Sequence, residues 1–439
     1  MLRVAMYPLM ANCRKFGAER AAARHEQVEI TGMSTPAEDG CISTAGLSSV
    51  GIVCDLLTEQ WPSMNLVADE LFKDLQERHA GRFRVQQLRP PWESHHVQSG
   101  TALNGAPPIG KRVFNRIVRY PLWLSKKRND FDLFHVIDHS YAHLVHRLPP
   151  ERTVVTCHDI DAFRCLLEPA DTFPRHVWRG VTRHILSGLQ TAAWIICDSG
   201  ATADDLLANG WVLPERMSVI PLGAAPVFSP RADPPADHEA DHLLAGHPGV
   251  KLLHVGSSIP RKRLDVLLRA FAGIKQAAPD AKLVRVGGPL SAALQSLAQQ
   301  LEIDRGIITL PFVSDRVLAA VYRRCNLLIH PSDGEGFGLP LLEAMACGLP
   351  VVCSDIPALK EVGGDAASYV AAGDVEAFVS ATLRLIREQP AEIERRRRNG
   401  LIQAGKFSWS KCADETVKIY EKVLAATPIK VRDSVVKIR

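Results

Sequence analysis

From residue 50 onward, short continuous apolar runs alternate with amphipathic stretches. The runs V-G-I-V-C-D-L-L (50–57), L-F-H-V-I (133–137), T-V-V-T-C (153–157), W-I-I-C (194–197) and S-V-I-P-L (218–222) read as buried strands, with helical spacing at 66–75, 175–189 and 201–208 between them. Strands without a polar face, separated by helices, predict a parallel sheet covered on both sides. The rhythm stops at 224–249, where proline, aspartate and histidine crowd together without a period and offer little to bury. It resumes with K-L-L-H-V-G (251–256), K-L-V-R-V-G-G (282–288), I-I-T-L-P-F (307–312), N-L-L-I-H-P (326–331) and P-V-V-C-S-D (350–355). The expected fold is therefore α/β, with two doubly wound, Rossmann-like domains facing a central cleft. The first would span 46–223 and the second 250–405, joined by a linker at 224–249. Residues 1–45 read as a poorly ordered extension and 428–439 as a tail. Ligands in such sheets sit at the carboxyl ends of the strands, here inside the cleft.

Composition narrows the function classes. At 439 residues the chain suits two or three domains, and 46% hydrophobic with 23% charged residues is ordinary for a globular protein. Lysine plus arginine number 52 against 48 acids, a net charge of +4, so global charge gives no reason to expect nucleic acid as a partner. The ten cysteines include no C-x-x-C pair and several lie in apolar runs, which fits reduced buried thiols in the cytoplasm. No apolar run approaches the ~18 residues of a membrane span. The opening residues hold one arginine and an apolar stretch broken by Pro8, a poor secretory leader.

The densest chemistry is H-P-S-D-G-E-G-F-G-L-P-L-L-E-A-M-A-C-G-L-P (330–350). A strand ends at Pro331, glycines 334, 336 and 338 make a turn, and a helix begins near Pro340, where proline's missing N–H is not needed. Glycine lets backbone approach a ligand closely, and a helix start favours an anion. Glu335 lies in the turn and Glu343 inside the helix, with seven residues between them. A second cluster, G-S-S-I-P-R-K-R-L-D (256–265), brings Arg261 and Lys262 to the end of another strand. Read alone it would be a solvated surface patch. Beside the glutamate motif it suits phosphate, since a guanidinium offers a planar fork and an ammonium a point charge.

These strings resemble glycosyltransferase family four, the retaining nucleotide-sugar glycosyltransferases of the GT-B fold, over roughly residues 50–426. The resemblance implies transfer of a sugar from a nucleoside-diphosphate sugar to an acceptor hydroxyl with the anomeric configuration kept, in polysaccharide, lipopolysaccharide or glycolipid assembly. By that likeness Arg261 and Lys262 would hold the diphosphate, with Glu335 and His158 as further catalytic residues. Backbone around Gly336, Phe337, Gly338 and Leu339 would face the donor, Glu343 would take the ribose hydroxyls, and Phe312 and Val313 would meet the base. Asp159 and Asn65 would lie on the acceptor side, and a closing helix over 406–427 would cross back onto the first domain. The nucleotide sugar is a co-substrate, and neither a cofactor nor a metal is expected.

The amino-terminal half departs from the family pattern. Its first strand runs into T-E-Q-W-P-S-M-N without paired glycines, so phosphate binding would rest on the second domain, with Ser63 as a helix cap. Of the D-x-D pairs, Asp130–Asp132 reads as a solvated loop before a strand and Asp159–Asp161 follows the strand 153–157 with no metal expected there, while His139, His143 and His146 lack an acidic partner for metal. Residues 111–128 carry seven basic and no acidic side chains among apolar ones. They fit either peripheral contact with an anionic membrane at its inner face or an ordinary helix packed on the sheet, and a membrane site would suit a lipid-linked rather than a free glycan acceptor. The rival functions are a nucleotide-sugar epimerase of the same fold and a non-catalytic nucleotide-sugar-binding protein.

Overall fold

The computed structural model describes residues 47–59, 62–92, 108–167 and 173–427; the expected extension at 1–45 and the tail at 428–439 lie outside these. Two six-stranded, all-parallel sheets are present. The first consists of β1 (Ser48–Val53), β2 (Phe83–Leu88), β3 (Leu133–Val136), β4 (Thr153–Cys157), β5 (Trp194–Cys197) and β6 (Met217–Val219), in the order β2-β1-β3-β4-β5-β6. The second consists of β7 (Lys251–Val255), β8 (Lys282–Val286), β9 (Ile307–Leu310), β10 (Leu327–His330), β11 (Val351–Ser354) and β12 (Ser368–Val370), in the order β12-β11-β10-β7-β8-β9. Strand order thus reverses between β1 and β3 and between β7 and β10, and such switch points open crevices at the strands' carboxyl ends.

Two strands have no counterpart in the apolar runs. In β2, F-R-V-Q-Q-L, buried residues mostly alternate with polar ones, as an edge strand permits, and β12 has three residues. The aperiodic stretch 224–249 is not merely a linker. Asp233 caps a helix, Pro234–Leu244, that buries Ala236, Ala240 and Leu244, and its Asp237 and Asp241 pair with Arg323 and Arg324 of the Asp315–Arg324 helix. Small residues at helical spacing carry its buried stripe, and the prolines sit harmlessly in its first turn. Ser63 is not a cap, because the first helix (Pro62–Arg78) begins one residue before it.

The last helix, Trp409–Ala426, lies on the first domain. Tyr420 Oη is 2.7 Å from His135 Nδ1 of β3, and Asp414 takes Arg78 at 3.0 Å and His79 at 2.9 Å. Where the chain crosses between domains its two passes touch: a Cβ on Gly223 would strike the backbone of Ser408 and Trp409. One apolar cluster runs from Val50 and Leu133 through Phe337, Trp409 and Tyr420 to Leu253 and Val284, so both sheets share core.

Candidate active site

Two loops leave the switch point of the second sheet. One follows β7 and turns at Pro260–Lys262; the other follows β10 and enters the helix Leu339–Ala346. Gly338, at φ 109°, makes the left-handed step that opens this helix, with Pro340 in its first turn. The loops meet at Glu335. Lys262 Nζ donates to Oε1 at 2.6 Å, Arg261 donates to Oε2 at 2.9 Å, and His330 Nε2 lies 2.8 Å from Oε1. Arg261 also donates to the Gly334 carbonyl at 2.7 Å. From the first domain it receives Asp159 at 3.3 Å and Asp161 at 2.6 Å. The Asp159–Asp161 pair is thus a clasp on Arg261.

Burial opposes the Glu335 charge, yet Lys262, Arg261 and His330 outweigh it and hold this carboxyl well below its usual range. Burial likewise brings the Lys262 ammonium below its usual value, against the pull of Glu335. Arg261 is driven the other way, because Glu335, Asp159 and Asp161 together exceed its burial penalty. The result is two fixed cations in a water-poor site, held at one place by one carboxylate.

Glu343, one turn inside the helix, accepts from Tyr322 Oη at 2.8 Å, and burial lifts its carboxyl to about 8. The folded protein thus takes up a proton that the unfolded chain releases near 4.5, and the stability this group confers falls as pH rises through about 8. Glu343→Gln should therefore resist denaturant better than the native protein at about pH 8.5 and equally well at about pH 4, below the unfolded value. Denaturation midpoints that track each other across this range would contradict that environment.

A seam joins the domains beside this site. Gly336 cannot carry a side chain because a Cβ would run into the His158 carbonyl, so the first domain's backbone demands this glycine. Its carbonyl accepts from Ser199 Oγ at 2.5 Å and Thr202 Oγ1 at 3.3 Å. Glu361, on the Pro357–Gly363 helix, accepts from the Gly200 and Ala201 amides at 2.7 and 2.8 Å, capping the Gly200–Ala208 helix from the opposite domain. Glu361→Ala should release roughly 1 kcal/mol of this closure. Hydrogen exchange at Gly200 and Ala201 should accelerate severalfold, and unchanged exchange would show the cap to be inert.

His158 departs from the role its resemblance implied. Nδ1 lies 2.5 Å from Asp198 and Nε2 is 2.7 Å from the Ile137 carbonyl, so neither ring nitrogen is left for a sugar or acceptor. Burial disfavours its charge, but Asp198 and Asp138 prevail and raise it to about 9. His139, His143 and His146 lie on a 3-10 run, whose three-residue turn rotates His139 away from His143 and His146. His143 turns to the Arg116 carbonyl and His146 to Ser187.

The other expected residues are dispersed. Asn65 spends its Oδ1 on Arg89, at 2.8 Å. The Phe337 ring is buried against Phe407, leaving only its backbone for a ligand, and Leu339 and Val313 are partly buried beside the same core. Phe312 stands 72% exposed on the loop after β9. At the end of β1, Glu59 forms a buried pair with Arg116 at 2.9 Å, and Asp55 is buried nearby. Asp132 is fastened to Ser49, while Asp130 is exposed beside Lys127. Sequence reasoning missed Asp161, His330, Tyr322 and Glu361; His330, ending the strand before the motif, was the most accessible of them.

Among the described residues no group of three or more His, Cys, Asp or Glu side chains could hold a metal ion, and no helix is long and apolar enough to cross a membrane.

Two Rossmann-like domains with this cleft are the GT-B architecture. The sucrose-phosphate synthase of Thermosynechococcus elongatus shares it at a TM-score of 0.67 and 19% identity, over 87% of this chain and 100% of that one. Sequence carries the assignment further. The family model described as Glycosyl transferases group 1 matches residues 241–406, and that of Glycosyltransferase Family 4 matches 65–228. The O-antigen chain mannosyltransferase B of Escherichia coli is 30% identical over 287 residues, 64% of this chain and 72% of that protein. The MMP alpha-(1->4)-mannosyltransferase of Mycolicibacterium hassiacum is 33% identical over 234 residues, 52% of this chain and 53% of its own length. The chain belongs to the GT-B glycosyltransferases of group 1 and family 4 and is a nucleotide-sugar-dependent glycosyltransferase.

Proposed function

We propose that this protein is a retaining hexosyltransferase that delivers a sugar from a nucleoside-diphosphate donor to a hydroxyl of a glycan or lipid-linked acceptor. The observation that carries the reading is the convergence of Lys262 and Arg261 on Glu335 at the switch point of the second sheet. The donor diphosphate takes the two cations from Glu335, Glu343 accepts from the ribose, Phe312 and Val313 border the base, and backbone at 336–339 faces the sugar. Negative charge gathers on the departing phosphate as the sugar bond breaks, and cations already in place stabilise it without reorganisation. The seam at Gly336 and Glu361 holds the cleft shut against water. Front-face attack rather than a covalent intermediate follows from the family likeness alone. Asp159 and Asp161 position Arg261, and His158 fixes the end of β4. Both relatives reported above are named mannosyltransferases, one of an O-antigen chain, which favours a hexose and a polysaccharide or lipid-linked acceptor.

The test is the anomeric configuration of the product, read by proton NMR during transfer from α-linked hexose donors such as GDP-mannose. An α-linked product supports retention and a β-linked one overturns it. Donor incubated alone should yield no epimer; an epimer would favour the epimerase.

The acceptor's setting is read from residues 111–128. Arg112 and Arg116 are buried, so the basic residues do not share one face. Phe114, Val118 and Leu122 are exposed at 56%, 38% and 55% and recur every four residues along one ridge. Exposed Lys111, Arg119, Lys126 and Arg128 flank it. Apolar side chains flanked by these cations suit an anionic lipid surface on the cytoplasmic side. The protein should sediment with phosphatidylglycerol vesicles at low salt, and Leu122→Ser should release it; indifference of the native chain to such vesicles would remove the membrane reading.

A further inference from the structure

Arg285, on β8, is among the largest fully buried side chains, at 1% exposure, and among the described residues it pairs with no carboxylate. Its guanidinium donates to the Gly288 carbonyl, to Ser258 Oγ at 2.6 Å and to the Gly256 carbonyl at 3.4 Å, while its buried Nε donates to nothing. It therefore lies beneath two turns, one leading from β7 to Arg261 and Lys262 and the other following β8. The turns touch so closely that a Cβ on Gly287 would collide with the Gly256 carbonyl, and Gly288 faces the Phe312 ring.

Its charge stands uncompensated. Burial, with no neighbouring acid to offset it, lowers the guanidinium to about 10. His254, paired with Arg285 in register across β7 and β8, is buried with both ring nitrogens unpartnered. Burial, together with His330, Arg285 and Lys262, holds His254 well below its usual value, so Arg285 and Lys262 act on the same imidazole. Arg261 has Glu335, Asp159 and Asp161, and Lys262 has Glu335; among the described residues Arg285 has no acid. A cation kept in a dry site without a counter-ion is disfavoured unless an anion arrives to meet it.

We propose that Arg285 is a third cation of the donor site, and that the diphosphate of the bound nucleotide supplies its missing counter-charge. This rests on the donor reading above. The excess charge of a diphosphate over a monophosphate suits a site with more than two cations, and the position beneath the Gly256–Ser258 turn puts Arg285 between Lys262 and the base platform at Phe312.

The experiment is calorimetric titration of the full chain with pyrophosphate, UDP and GDP, using the native protein and the Arg285→Gln, Arg285→Lys, Ser258→Ala and Lys262→Ala variants. Arg285→Gln keeps an amide donor for the two turns but removes the charge, and should weaken binding by about 10–100-fold. Arg285→Lys and Ser258→Ala, which keep the charge, should stay within a few-fold of native. Equal losses in the Gln and Lys variants, or a large loss in Ser258→Ala, would reduce Arg285 to a staple between turns and overturn the proposal. The Ser258→Ala and Lys comparisons decide this even if Arg285→Gln does not fold. Loss of binding in Lys262→Ala with none in Arg285→Gln would sink the Arg285 assignment and leave the donor reading standing. Failure of the native protein to bind any of the three probes would sink both.

Discussion

Replacing Lys262 by alanine is expected to lower turnover at saturating donor by about 10²–10³-fold, the loss seen when one preorganised charge-stabilising donor is removed. The ammonium is buried and held 2.6 Å from Glu335, so it is fixed before the donor arrives. A positive charge so placed counts for more against a leaving phosphate than it does in water. Arg261 remains on the other Glu335 oxygen, so the site should stay assembled and the fold should survive. The diagnostic measurement is kcat in single- and multiple-turnover assays beside an unchanged far-ultraviolet spectrum. Near-native kcat would mean that Lys262 does not touch the transition state.

Glu335→Ala should have the largest effect on stability. One carboxylate satisfies buried Lys262 and half-buried Arg261 and receives buried His330. Removing it leaves two cations facing each other, with only Arg261 still paired, through Asp159 and Asp161. Breaking a buried charge pair by deleting one partner costs about 3–5 kcal/mol. Under the proposed function this deficit is repaired by donor, because the diphosphate brings the negative charge that Glu335 supplied. Saturating UDP or GDP should therefore raise the melting temperature of Glu335→Ala by more than it raises that of the native protein. An equal rise in both would show that the nucleotide does not meet these cations, and a variant as stable as the native chain would show that Glu335 is dispensable to them.

Much of this was legible because parallel sheets write themselves plainly. A strand covered on both faces must be apolar throughout, so β4 and β5 coincide with the runs 153–157 and 194–197. Strand β2 was silent because an edge strand tolerates arginine and glutamine at alternate positions. The helix at Pro234–Leu244 was hidden because its buried face is mostly alanine, which small-residue packing favours but a search for large apolar residues passes over. The site divides along the same line. The residues of the glycine-rich turn and the R-K pair belong to contiguous strings whose chemistry is local: amides and a helix start in one, a fork and a point charge in the other.

By itself, then, the chain's order of residues determined two doubly wound domains, a break between them, and the positions of Arg261, Lys262, Glu335 and Glu343. Those are properties of local periodicity and of motifs short enough to be read without folding them. Only the tertiary structure decided which groups share a carboxylate, that Asp159 and Asp161 reach across to Arg261, that both His158 nitrogens are already spoken for, and that Arg285 is buried without an acid. Each of these depends on residues tens to more than a hundred positions apart meeting at the ends of parallel strands. Side-chain identity does not encode that meeting; strand order, crossover geometry and the desolvation that follows from packing do.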